Sequence, residues 1–196
     1  SLGIPLPAAT QWDVVERASG LIWPVFDELV RQAAQGEVMH NDDTGMRILK
    51  LAREPAPAGK AERTGVFTTG ILSKLGVWMI ALYFSGWKHA GENLADVLRH
   101  RMSGLAPLIQ MCDALSRNAP QLTAGVRVLL AYCLAHGRRQ FVDVAGNFPE
   151  QCRYVLEKLG SVWHHDQLAR ERRLTPEQRL LFHQEHSEPV MTTLQE

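Results

Sequence analysis

Three aspartates stand where carboxylates can do chemistry. Asp42 ends the approach Glu37-Val38-Met39-His40-Asn41, Asp113 ends Leu108-Ile109-Gln110-Met111-Cys112, and Asp166 lies far downstream in a long helical pattern. Two carboxylates at strand ends and one from a helix can converge on a pair of divalent cations, Mg2+ or Mn2+. Such a pair clamps both the attacking and the leaving oxygen of an in-line displacement at phosphorus. The chemistry these residues predict is cutting and joining of nucleic acid. Taken singly, Asp42 and Asp113 also admit a plainer reading, as strand-end acids that cap loops.

The rest of the composition bounds that expectation. A chain of 196 residues, 45% apolar and 21% charged, is long enough for one good core with a small helical appendage. No apolar run approaches the ~18 residues a membrane span needs. The opening Ser1-Leu2-Gly3-Ile4-Pro5-Leu6-Pro7 has neither a basic region nor an apolar core of signal length, and reads as the interior of a longer protein. Three cysteines without a framework spacing suit reduced thiols in a cytoplasm. With 21 basic against 21 acidic residues the chain has no overall excess to attract a phosphate backbone. A DNA enzyme of this composition needs local basic patches, metal ions or a separate DNA-binding domain.

The acids need elements to position them. Thr10, with Asp13 three residues on, predicts the start of a helix whose apolar positions Val15, Ala18, Ile22, Phe26, Leu29 and Ala33 share a face. Pro24 should kink or split it, and Gly36 should end it. Short strands are expected at Val38–Asn41 and Met46–Leu51, then a loop over Arg53–Arg63. Further strands follow at Thr64–Leu72 and Val77–Phe84, and helical spacing returns over Gly91–Met102. Pro107 opens the strand Leu108–Cys112, and Val126–Tyr132 reads as a strand buried on both faces. From Ala135 to about Arg173 the pattern is helical, broken near Gly146-Asn147-Phe148-Pro149. Thr175 and Pro176 restart a helix as N-cap and first residue. This order predicts an α/β fold, a ribonuclease-H-like mixed sheet flanked by helices. Its expected divisions are an N-terminal helical segment (1–36), a catalytic domain (37–186) and a tail (187–196).

Four stretches resemble the transposases of the insertion sequence 66 family, which are DDE-type enzymes. His40-Asn41-Asp42-Asp43-Thr44 is similar to the acidic D-E-T motif that opens their catalytic domain, and Gln110-Met111-Cys112-Asp113-Ala114 falls where they carry a second aspartate. Cys133-Leu134-Ala135-His136-Gly137-Arg138-Arg139-Gln140-Phe141 resembles their C-W-A-H-A-R-R-K-F signature, the most specific match. Leu159-Gly160-Ser161-Val162-Trp163-His164-His165-Asp166 resembles the helix that supplies their third acid. The Gly3-Ile4-Pro5-Leu6 opening and the Arg179–Pro189 stretch look familial too, so the resemblance spans nearly the whole chain. Two departures stand out. Asp43 and Asp166 occupy positions where the family carries glutamate, and aspartate is one methylene shorter.

The resemblance implies metal-dependent strand cleavage and strand transfer at transposon ends, with Asp42, Asp113 and Asp166 as catalytic metal ligands. Its implied partners are DNA (ends and target), further copies of the chain on that DNA, and accessory proteins of the same element, with no membrane. The alternative is a catalytically silent DNA-binding or oligomerisation remnant. Asp43 should point to the opposite face of its strand from Asp42. Glu157 and Glu171 share the helical stretch of Asp166 but are turned about 180° and about 140° from it. His136, Arg138 and Arg139 are candidate DNA contacts, against a solvated helix face. Cys133-x-x-His136 also has the look of half a zinc site, for which Cys152 and the His164-His165 pair are the available partners. Arg170, Arg172 and Arg173 read as a solvated basic cluster, and Trp78, Tyr83, Phe84 and Trp87 as core.

Overall fold

The computed structural model describes residues 6–46, 65–122 and 125–195, and its contacts divide the chain into two units, Ser1–Tyr132 and Cys133–Glu196. The first unit holds a five-stranded sheet: β1 (Val38–Met46), β2 (Val66–Leu75), β3 (Trp78–Gly86), β4 (Leu108–Cys112) and β5 (Val128–Tyr132). The spatial order is β3-β2-β1-β4-β5. β1, β2 and β3 pair antiparallel, whereas β4 runs parallel to both β1 and β5. This is the ribonuclease-H-like mixed sheet that the sequence predicts.

Local chemistry explains the connections. Only Gly76 and Val77 separate β2 from β3, and Gly76 takes the left-handed backbone (φ +57°) that a tight hairpin needs and that costs glycine least. A parallel strand cannot be reached by a hairpin, so β3 leads to β4 through a crossover helix, α2 (Ala90–Leu98). A short 3-10 turn, Ser116–Asn118, lies on the path from β4 to β5.

One face of the sheet carries the core. Met39, Ile71, Leu82 and Leu108 pack with Leu94, Val97 and Leu98 of α2 and with Ala33 and Ala34 at the end of helix α1 (Ala8–Ala33). The period-2 alternation of a strand decides which aromatics join them. Phe84 turns inward and meets Phe26 edge-on at 5.8 Å between ring centres. Tyr83, on the opposite face, is 71% exposed, and Trp78 at the hairpin is 74% exposed. The expectation that both are core residues is therefore corrected. The expectation that β5 is buried on both faces also fails. It begins at Val128 and is the edge strand, so Leu129 and Leu130 are exposed.

Helix α1 starts at Ala8, with Pro7 at its N-cap and no side-chain cap, so Thr10 lies inside it. It runs unbroken through Pro24 and gives way at Ala34, two residues before Gly36. β1 is one strand that continues to Met46. The rest of the second strand expected there, and the predicted loop, lie outside the described residues.

The second unit is helical: α3 (Leu134–Val144), α4 (Pro149–Glu171), α5 (Pro176–His186) and α6 (Glu188–Thr193). Thr175 caps α5 as its sequence foretells: Gln178 N–H donates to Thr175 Oγ1 at 3.3 Å, and Thr175 N–H donates to Gln178 Oε1 at 3.0 Å.

Gly91 couples this architecture to the candidate site. A Cβ there would overlap the backbone carbonyl oxygens of Arg117 and Ala119, on and just after the 3-10 turn. Gly91→Ala is expected to cost about 1–3 kcal/mol through overpacking, read as a lower urea midpoint. Gly137→Ala, in α3 with open space around it, should lose nothing and gain up to ~1 kcal/mol of helix propensity.

Candidate metal-binding site

β1 and β4 are adjacent and parallel, and their last ladder pair is His40 opposite Met111. The same register continued two residues further would bring Asp42 level with Asp113, although β4 ends at Cys112 and the ladder itself stops at His40 and Met111. Alternation puts Asp42 on the face of Val38 and His40, away from the core, where it is exposed. Its Oδ1 accepts the backbone N–H of Asp43 at 2.8 Å. Burial first, then the charges of Asp113 and Asp42, push the neighbouring Cys112 thiol above its ordinary pKa.

A buried polar network holds the two strand ends. Gln110 Nε2 donates to Asn41 Oδ1 and to the Asn118 carbonyl, both at 2.8 Å, and Asn41 Nδ2 donates to the same carbonyl at 2.9 Å. Asn118 in turn donates through Nδ2 to Asp113 Oδ1, which also accepts the Leu115 N–H at 3.2 Å. Asn41, Gln110 and Asn118 are all almost completely buried. These bonds tie β1 at Asn41 to β4 and to the 3-10 turn, although Gln110 Oε1 is buried without a partner among the described residues. The Oδ1 atom of Asn118 is buried without a partner among the described residues.

These donors suit a hard cation. Mg2+ is commonly held by one or two carboxylates, with waters and substrate phosphates completing an octahedron. Asp42 and Asp113 are hard oxygen donors of that kind. Among the described residues, no three His, Cys, Asp or Glu side chains gather into a metal cluster. The zinc reading of Cys133, His136, Cys152 and His164-His165 is thus without support; the three cysteines are free thiols.

Asp166 lies in the second unit, on α4. Its carboxylate pairs with Arg170 at 2.7 Å, one helical turn on, and with Arg179 of α5, and His183 Nε2 stands 3.5 Å away. Burial opposes its ionisation, but the hydrogen bond and charge of Arg179, with Arg170 and His183, outweigh burial and hold the carboxyl below the ordinary range. So Arg170 is committed to Asp166, not simply solvated. Because α4 is continuous, Glu157 and Glu171 are turned away as the helical period requires. Glu171 accepts from Gln167 at 2.7 Å, and Glu157 is exposed. Arg138 and Arg139 are exposed on α3 with no ion-pair partner among the described residues, and His136 Nδ1 is buried there without a hydrogen-bond partner.

Asp43 is held firmly. Its side chain is only 2% exposed; Thr69 Oγ1 donates to Oδ1 at 2.7 Å, and His89 Nδ1 lies 3.1 Å from Oδ2. His89 is absent from the sequence-derived candidates. One signal was available: Glu92 follows it at the spacing of a helix cap, and Glu92 accepts the His89 N–H at 2.9 Å.

The five-stranded mixed sheet flanked by helices defines a ribonuclease-H-like α/β protein. The chain belongs to the IS66 transposase family, whose model, "Transposase IS66 family", matches residues 1–196. It is also 26% identical to an uncharacterized protein, y4hP, of Sinorhizobium fredii; the match covers 99% of this chain and 36% of that protein's length. No solved structure matches the chain.

Proposed function

We propose that this chain is the catalytic part of a DNA transposase, cleaving and joining strands at the ends of an insertion sequence. The observation that carries the reading is the parallel pairing of β1 with β4, since β1 carries Asp42 two residues past the last ladder pair and Asp113 follows directly on the end of β4. Mg2+ or Mn2+ bound there would activate a water or a 3′-hydroxyl and stabilise the departing 3′-oxygen. The chain's own residues do the rest. Asp42 presents its carboxylate to solvent while the Asp43 N–H fixes one oxygen, and Asn118 orients Asp113.

Asp166 is the proposed third ligand, on the motif it shares with the family. Its carboxylate is paired with Arg170 and Arg179, and as a ligand it would have to give up those pairs. Arg138 and Arg139, exposed and without an ion-pair partner among the described residues, are the proposed phosphate contacts, with His136 at the start of the same helix. The proposed partners are DNA ends and target, other copies of the chain, and accessory proteins of the element, in the cytoplasm. Among the described residues, no helix is long and apolar enough to cross a membrane.

The test is nicking of a supercoiled plasmid that carries the element's ends. Nicking should require Mg2+ or Mn2+ and stop with a chelator. A folded chain that binds this DNA but never nicks it in either metal is instead the silent remnant.

A further inference from the structure

We propose that His89, at the start of α2, is a positioning residue for Asp42, acting through Asp43. The inference rests on the reading of Asp42 as a metal ligand.

The ladder geometry shows why such a residue is needed. β4 supports β1 only as far as His40, while β2 continues to pair with β1 through Met46. From Asn41 onward, β1 is therefore held from one side. Asp42 sits on this half-supported stretch, with its own side chain in solvent. The residues before and after it send their side chains to the other face, and both are anchored there. Asn41 is tied to Asn118 and Gln110. Asp43 is tied to Thr69 of β2 and to His89.

The second anchor is itself braced. Asn93 Nδ2, also from α2, donates to Thr69 Oγ1 at 2.8 Å. The His89 ring lies against Phe67, 4.3 Å between ring centres, and Glu92 holds its backbone N–H. One helix end thus grips the strand through a single, almost fully buried carboxylate. The peptide gripped is the one whose N–H holds Asp42 Oδ1. A buried carboxylate keeps its place only while its hydrogen bonds are satisfied. Without His89, Asp43 keeps only the Thr69 hydroxyl and its ladder pairing, and Oδ2 loses its partner in a nearly water-free place, which loosens the 42–43 peptide that holds Asp42. Groups that orient metal ligands in this way typically affect metal affinity by ~10–100-fold.

The experiment measures Mn2+ binding to the whole 196-residue chain by the loss of the free-ion EPR signal. It compares the parent with Asp42→Asn, His89→Ala and His89→Asn, alongside thermal unfolding of each. Asp42→Asn identifies the site. His89→Ala should weaken Mn2+ binding ~10-fold or more, within the range for ligand-orienting groups. His89→Asn, whose amide N–H can stand in for Nδ1–H, should recover most of that loss. If the parent binds Mn2+ at an Asp42-dependent site and both His89 variants bind it equally well, His89 only stabilises the fold and the proposal is overturned. Equal weakening by Ala and Asn also overturns it, since the hydrogen bond to Asp43 would not be the cause. A parent without Asp42-dependent Mn2+ binding overturns the metal reading itself, and this inference with it.

Discussion

Asp113→Asn should lower metal-dependent nicking by about a thousandfold or more, the scale of losing several kcal/mol of charge stabilisation at the reacting phosphate. The substitution keeps the size of the side chain and an oxygen that can still accept from Asn118 and the Leu115 N–H. Folding should survive. With the neighbouring charge of Asp42 no longer opposed by a like charge, the thermal midpoint should stay level or rise slightly. Near-parental nicking by Asp113→Asn would remove this residue from the catalytic set.

The second large effect is expected at Asp166. Asp166→Ala should reduce strand cleavage in Mg2+ to background, whereas Asp166→Glu should match or exceed the parent. Mg2+ accepts little departure from an octahedron at ~2.0–2.1 Å, so a ligand one methylene short is penalised most with this ion. The parent should accordingly prefer the larger Mn2+, and Asp166→Glu should narrow the difference. Arg170 and Arg179 add a further expectation. Because both hold the Asp166 carboxylate, Arg179→Gln should ease its transfer to a cation while weakening the tie between α4 and α5. Equal nicking in Mg2+ by the parent, Asp166→Glu and Asp166→Ala would make Asp166 a brace between the two helices and nothing more.

Much of this was readable from the chain itself. The apolar approaches to Asp42 and Asp113 are strands because each must reach the middle of a sheet, and their period-2 alternation also told Asp43 from Asp42. Thr175-Pro176 with Gln178 is a helix start strong enough to be read without a fold. Other features depend on tertiary neighbours. Tyr83 and Phe84 are equally aromatic, and only strand register sends one to solvent and the other to Phe26. The apolar run of β5 suits a buried strand, yet its place at the sheet edge leaves it exposed. His89 and Asn118 escaped because their roles come from contacts 46 and 77 residues away in sequence, to Asp43 and Asn41, which no local pattern encodes. The ties of Asp166 to Arg170 and Arg179 were half visible. The first is a helical neighbour at i+4, while the second needs the turn between α4 and α5.

The central claim is that Asp42 and Asp113 together hold a divalent cation. Anomalous diffraction from crystals of the chain soaked in Mn2+ tests it directly. The account predicts a manganese peak within ~2.0–2.6 Å of a carboxylate oxygen of each aspartate, the range of metal–oxygen bonds to hard cations, and its loss in Asp42→Asn. Manganese elsewhere on an otherwise ordered protein, with Asp42 and Asp113 in place and bare, would contradict it.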